Sequence, residues 1–271
     1  MAYLVHPGAL PADVHRGGIA AAMSGGLGLT VLDLGALPEY WEAALTGGRA
    51  EATLEELADQ LRGHLENAHE DGPVVLAGWS FGGVVAHAMV EQLDPGLRPE
   101  RLVLLDSIAP TEAYKQPDDA LQPDLLLDWF AMYLGAKRNR AIPLDYNRLF
   151  GCDTENGLAL VLEAAIAAGA LPADTAPPGL RKLYSTYVDG LLRNNRLTDP
   201  YQARPAVLPL TLISAERGLI PDDPTLGWEP LAAHGLSLRR CPGDHYTMLT
   251  RPDATAQIAG VLNPAPAGTR P

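Results

Sequence analysis

The stretch Val74-Val75-Leu76-Ala77-Gly78-Trp79-Ser80-Phe81-Gly82-Gly83-Val84-Val85 narrows the choice of folds more than any other part of this chain. An apolar run of strand length enters a G-x-S-x-G turn, and a helical pattern leaves it, with Val84, Val85, Ala88 and Met89 on one face. In that setting the turn lifts a serine hydroxyl above the edge of a sheet, and Gly78 and Gly82 let the backbone close tightly beneath it. A phosphate-cradling turn would carry the lysine of a P-loop or the spacing G-x-G-x-x-G, and this stretch has neither. Ser80 is accordingly the candidate nucleophile.

The rest of the chain has to supply a sheet for that turn to stand on. Apolar runs at Tyr3–Val5, Leu29–Leu34, Val74–Ala77, Leu102–Leu105, Leu208–Ile213 and Leu236–Leu238 have the length of buried strands. Helical patterns lie between them: Leu54, Leu57, Leu61 and Leu65 behind a Thr53/Glu56 capping box, a helix over Gly83–Leu93, and a short last one through Ile258 and Val261. The alternation predicts an α/β fold: a mostly parallel central sheet, helices on both faces, and ligands at the carboxyl ends of the strands. From Thr111 to about Arg204 it stops, and three amphipathic helices follow one another around Leu125–Leu134, Leu158–Ala168 and Leu180–Leu192. The length fits one large domain, 1–271: a core of 1–110 and 205–262, a helical insertion at about 111–204, and a Pro- and Gly-rich tail, 263–271, expected to be flexible. The insertion's apolar faces, with Trp129, Phe130, Tyr184 and Tyr187, either pack on one another and the sheet or roof a substrate chamber as a lid.

Charge and cysteine usage limit the partners. Twenty basic residues against 33 acidic ones leave a net charge of −13, a field that repels phosphate backbones and anionic membranes, so neither nucleic acid nor a membrane is expected as a partner. Cys152 and Cys241 are too few for a disulfide framework and are not spaced as a zinc site, so no metal is expected. The amino terminus lacks the basic region and sustained apolar core of a signal peptide, and no apolar run reaches the ~18 residues of a membrane span. A cytoplasmic location is the expectation.

A serine hydroxyl needs an imidazole to accept its proton. His64 and His69 lie on or just past an amphipathic helix, His15 in a loop, and His87 on the helix after Ser80; all four read as surface or packing residues. His6 ends the first strand and His234 precedes another. His245 follows the last strand in a turn-rich loop, where it can overhang the serine, and is the preferred base. The imidazole in turn needs a buried carboxylate to orient it. Asp106, closing Leu102–Leu105, and Glu216, following Thr211–Ala215, both satisfy the order serine, acid, histidine. Two backbone N–H groups are candidates to hold the developing oxyanion: Phe81, directly after the serine, and Ala9, in the loop His6-Pro7-Gly8-Ala9-Leu10.

Together, Gly78–Gly83, Leu102-Val103-Leu104-Leu105-Asp106, Trp228-Glu229-Pro230 and Gly243-Asp244-His245-Tyr246-Thr247-Met248 resemble the thioesterase domains that terminate polyketide synthases and nonribosomal peptide synthetases, a branch of the α/β-hydrolases. The resemblance covers most of the chain outside the insertion. It implies an α/β-hydrolase fold with a helical lid, and Asp106 rather than Glu216 as the acid. It also implies that an acyl or peptidyl carrier protein delivers an acyl thioester on its phosphopantetheine arm, with no cofactor of the enzyme's own. Ser80 would take up the polyketide or peptidyl chain and release it by hydrolysis or cyclisation. Proofreading type II thioesterases commonly carry His-Ala-Gly-Gly after the first strand; His6-Pro7-Gly8-Ala9 here favours product release. An acidic carrier would need a local basic surface, for which Arg98 with Arg101, Lys137-Arg138 with Arg140, and Arg181-Lys182 are candidates. The same triad would serve an esterase or acyltransferase on a small free substrate, and a non-catalytic binding protein or a lyase are further alternatives.

Overall fold

Successive side chains of a strand point to opposite faces, so a strand that is apolar on both belongs to a sheet covered on both sides. The computed structural model describes residues 1–23, 28–45, 52–69, 72–115, 117–220 and 222–263. Among them run six strands: β1 (Ala2–His6), β2 (Leu29–Asp33), β3 (Val75–Trp79), β4 (Leu102–Leu105), β5 (Leu210–Arg217) and β6 (Leu236–Asp244). They pair in the order β2-β1-β3-β4-β5-β6, and among the described residues every pair is parallel, as the alternation predicts. Tyr3, Val5, Leu76, Leu104 and Leu212 enter the core on one face, and their neighbours Leu4, Ala77, Val103, Leu105 and Ile213 the core on the other.

Helices cover both faces. Helix α3 (Leu54–Ala68) and helix α4 (Phe81–Gln92) pack together on the Tyr3 face, and helix α1 (Ala12–Ala22) packs with helix α9 (Pro252–Leu262) on the Leu4 face. The capping box at the start of α3 is formed, with Glu56 N–H donating to Thr53 Oγ1 at 3.2 Å and Thr53 N–H to Glu56 Oε2 at 2.8 Å. Helix α4 begins at Phe81 and is buried through Val90 on every side, not one, because it is wedged between the sheet, α3 and the segment around Tyr201–Leu208. The short helix α2 (Pro38–Leu45) brings Tyr40 into the same core.

The segment between β4 and β5 holds helices α5 (Pro123–Arg138), α6 (Tyr146–Leu149), α7 (Thr154–Ala167) and α8 (Pro177–Thr198), and no strand among its described residues. Three of these are the expected helices, longer at both ends or one; α6 is too short to carry a period and starts where Asp145 accepts from Asn147 N–H at 2.9 Å. Phe130, Tyr133, Tyr184 and Tyr187 pack ring against ring with centroids 4.9 to 6.3 Å apart, in the same core as the Leu4 face of the sheet. The tail expected to be flexible lies, beyond Asn263, outside the described residues. Among the described residues no helix is long and apolar enough to cross a membrane.

The strand order sets the position of the site. The chain leaves β1 for β2 on one side and returns to β3 on the other, so the carboxyl ends of β1 and β3 border a switch-point crevice. Val5 pairs with Gly78, which places the loop after β1 beside the turn after β3.

Candidate active site

The chain passes from β3 into α4 through one residue, Ser80, at φ 54° and ψ −131°. A non-glycine side chain occupies that region only where its surroundings enforce it. The glycines show the enforcement: a Cβ on Gly78 would fall on the carbonyl of Gly82, and one on Gly82 would fall on the carbonyl of Val5 in β1. Ser80 N–H donates to the Leu105 carbonyl at 3.0 Å, and Gly83 N–H to the Ser80 carbonyl at 2.9 Å. The backbone is thereby fixed and the hydroxyl stands above the sheet.

His245 sits in the turn after β6, whose backbone Asp244 ties by accepting from Tyr246 and Thr247 N–H, both at 2.9 Å. Its Nε2 is 3.0 Å from Ser80 Oγ and its Nδ1 is 2.7 Å from Asp106 Oδ2. Asp106 follows β4 at φ 44° and is 2% exposed. Its second oxygen, Oδ1, accepts from Ala215 N–H at 3.0 Å, so the buried carboxylate is satisfied at both atoms. Gly218 packs against it, and a Cβ there would lie 3.0 Å from Oδ1. Glu216 is exposed, with Arg240 donating to its carbonyl, not its carboxylate, at 3.0 Å. The structure therefore brings Ser80, His245 and Asp106 into one hydrogen-bonded series and leaves Glu216 out of it.

Phe81 is the first residue of α4, where amides have no acceptor within the helix and the helix dipole favours negative charge. Ala9 is exposed in the loop that leaves β1, the strand paired with β3. A cavity of about 420 Å³ opens over Ser80. Phe81, Val84 and Ile108 line it on the sheet side; Leu125 and Trp129 of α5, with Asn194 and Thr198 of α8, line it on the insertion side. The insertion both packs on the sheet and roofs this space.

Three side chains at the site had no role assigned from the sequence. Trp79, fully buried, donates its indole N–H to the His245 carbonyl at 3.0 Å and lies 5.3 Å from that ring, 5.1 Å from His6 and 5.0 Å from His15. Its place inside the G-x-S-x-G turn is the signal that could have found it. His15 is not in a loop: it is 1% exposed on α1, with Nδ1 2.8 Å from His6 Nε2. Helix α1 contains Gly17-Gly18 and buries His15 and Ile19, so no apolar period announces it. Burial pushes His6 down to about 3, with His15 adding to the effect, and His15 down to about 4, with His245 adding. Tyr40 is the third, with a single buried ring on α2 as its only trace. The remaining histidines stand apart: His87 is buried against Tyr201, His69 is half-buried, and His64 and His234 are exposed.

A serine at a strained strand-to-helix turn, served by a histidine and a buried aspartate above a parallel sheet, defines the class as serine hydrolases of the α/β-hydrolase fold. Within that class the chain belongs to the thioesterase domain family, whose model matches residues 37–264. Solved structures share the fold. A four-domain nonribosomal peptide synthetase bound to AMP and glycine is 23% identical, with a TM-score of 0.61; the match covers 96% of this chain and 19% of that one, so this chain spans about a fifth of the synthetase's length. The NocB thioesterase domain, solved as a covalent complex with a fluorophosphonate nocardicin G analogue, is 22% identical over 97% of this chain and 94% of its own, with a TM-score of 0.58. The RedJ thioesterase of the prodiginine pathway in Streptomyces coelicolor is 19% identical over 96% and 88%, with a TM-score of 0.57.

Proposed function

We propose that this thioesterase accepts a polyketide or peptidyl chain as a phosphopantetheine thioester from an acyl or peptidyl carrier protein, holds it on Ser80, and releases it by hydrolysis or cyclisation. The observation that carries the reading is the 3.0 Å approach of His245 Nε2 to Ser80 Oγ at the floor of the cavity under the insertion. His245 takes the serine proton at Nε2 as Oγ attacks the thioester carbonyl, while Nδ1–H stays on Asp106 and the imidazolium is stabilised by that carboxylate. Phe81 and Ala9 N–H hold the oxyanion. Collapse of the tetrahedral intermediate breaks the C–S bond, and His245 returns the proton to the pantetheine sulfur. Water or a hydroxyl or amine of the acyl chain then attacks the acyl-serine through the same base, freeing the Ser80 hydroxyl.

Exposed Arg98, Arg138, Arg140 and Lys182 support a carrier-docking surface. Other sequence-level candidates are engaged within the chain: Arg101 donates to the Val261 carbonyl at 2.7 Å, Arg181 pairs with Glu155, and Lys137 donates to Tyr133 at 3.2 Å. A cytoplasmic setting is part of this reading, supported by a cysteine count of two, too few for the disulfide framework of an exported domain.

Intact-protein mass spectrometry after mixing with a panel of acyl-pantetheine thioesters tests the reading. The expected result is an acyl adduct on the wild type and none on Ser80→Ala. An equal adduct on Ser80→Ala, or rapid turnover of p-nitrophenyl esters with none of the thioesters, would overturn it.

A further inference from the structure

The peptide between Pro7 and Gly8, in the loop leaving β1, is gripped at both of its polar atoms. Gly8 N–H donates to His6 Nδ1 at 3.0 Å, and the Pro7 carbonyl accepts from the Tyr40 hydroxyl at 3.1 Å. A planar unit held at its N–H and at its C=O has no freedom to turn. Gly8, at φ 70°, then sets the direction of the next peptide, whose N–H belongs to Ala9. The His6 grip is itself oriented: Nδ1 accepts, so the neutral ring carries its proton on Nε2 and donates it to His15 Nδ1 at 2.8 Å.

The Tyr40 grip reaches into the insertion. Its ring stacks on the ring of Phe81, centroids 6.1 Å apart and planes 8° from parallel, so one side chain touches both segments that carry the candidate oxyanion donors. Arg193 of α8 lies over the Tyr40 ring, its guanidinium carbon 3.7 Å from the centroid, and donates from Nη2 to the Tyr40 oxygen at 2.6 Å. The single Tyr40 proton is shared in a three-centre bond between the Pro7 carbonyl and Asn194 Oδ1, 2.8 Å away, so the grip on the loop and the tie to α8 are one interaction. Arg193 is 8% exposed, and no carboxylate among the described residues lies within ion-pair distance of it. A desolvated guanidinium is costly unless its partners hold it, and here they are the ring and hydroxyl of Tyr40 with the Asn194 amide. Burial also pushes the Tyr40 phenol up to about 12 against the opposing pull of Arg193, so it stays a donor.

We infer that Tyr40 and Arg193 are positioning residues for the oxyanion hole, through which helix α8 of the insertion sets the orientation of the Ala9 and Phe81 N–H groups. This rests on the acyl-serine reading above. It couples the roof of the cavity to the chemistry at its floor without either residue touching the reacting atoms.

The test is the rate of labelling by an alkyl fluorophosphonate, resolved into the rate at saturation and the half-saturating concentration. Wild type, Tyr40→Phe, Arg193→Met, the double variant and Ser80→Ala are compared, each with its thermal midpoint. Tyr40→Phe keeps the ring and Arg193→Met keeps the stem, so both variants are expected to fold. The expected result is a fall of roughly 10- to 100-fold in the saturating rate for Tyr40→Phe, the scale of a misplaced donor. Half-saturation changes less than about twofold, Arg193→Met moves the same way, and the double variant is no slower than the slower single, as coupled residues behave. A wild-type saturating rate in folded Tyr40→Phe, or losses that multiply in the double variant, would overturn the coupling while a silent Ser80→Ala left the acyl-serine reading intact. Undiminished labelling of Ser80→Ala would overturn both.

Discussion

Two of the four described non-glycine residues at positive φ, Ser80 and Asp106, stand at the carboxyl ends of neighbouring strands; the helical insertion contributes only Asn139, which closes α5 in an ordinary left-handed cap. At the carboxyl ends of these central strands the backbone decides where reactive atoms lie, with glycines where any Cβ would strike a carbonyl. In the insertion, side chains decide. Rings pack on rings, and a few polar ties join it to the core: Tyr187 to Tyr246 at 2.6 Å, Trp129 to the Leu219 carbonyl at 3.1 Å, Arg193 to Tyr40 at 2.6 Å. Strain and close approach leave few alternatives at the site of chemistry, whereas packing around the cavity can be rebuilt. Catalytic apparatus and chamber shape are therefore set by different kinds of interaction.

The largest effect is expected at Asp106. Asp106→Asn is expected to lower turnover about 10⁴-fold by favouring the wrong imidazole tautomer, while Glu216→Gln stays within ~2-fold as an exposed substitution. Steady-state kinetics of the pair settle it, and the reverse ranking would move the acid to β5. On the insertion side, Phe130→Ala removes a fully buried ring and should cost about 3–5 kcal/mol in urea unfolding. Below its melting temperature Ser80 should still react with fluorophosphonates; silence there would mean the two regions are not separable.

Acid acts on the site's surroundings, because His6 at the end of β1 and His15 on α1 are buried as a hydrogen-bonded pair of neutral rings. Their folded values, about 3 and about 4, lie below the unfolded 6.5, so the unfolded chain binds more protons in that window. Their stabilising effect is complete above pH 6.5 and is lost as pH falls toward 4, at about 1.4 kcal/mol per pH unit for each ring. Denaturation midpoints at pH 7, 6 and 5 should fall in that order, with His87, which burial on α4 also pushes down to about 4, adding to the loss; a flat series would show these rings to be solvated. The smallest effect is expected at the tie between the regions. Tyr187→Phe strands the buried Tyr246 hydroxyl and should cost about 1–2 kcal/mol, and Tyr187→Phe with Tyr246→Phe should cost less than the sum of the two. Additive losses would mean the hydroxyls are satisfied elsewhere.

The parts of the fold legible from sequence were those with a local signature. All six strands showed as apolar runs, and the Thr53/Glu56 box marked the start of α3 to the residue. Strand ends were less legible: β6 runs on to Asp244 because its ladder with β5 continues past the apolar Leu236–Leu238. Helix α1 was invisible, since paired glycines and a helix face of His15 and Ile19 carry no period. At the site, Ser80 had a turn motif and His245 a loop after the last strand. The choice between Asp106 and Glu216 was open on the residues, because both end strands in the right order.

Local patterns along the chain were enough for the set of strands, the strained turn at Ser80, the span of helices between β4 and β5, and a short roster of acids and bases. These follow from interactions between near neighbours in the chain: alternation, caps, and glycines a few residues apart. Packing of the whole chain was needed to bring Asp106 to His245 across 139 positions, to turn Glu216 to solvent, to pair His6 with His15, and to join the loop after β1, through Tyr40, to an arginine 153 residues away. Each of these contacts depends on which strand lies beside which and on which side of it a residue falls, and no pattern along the chain encodes the distance between residues so far apart.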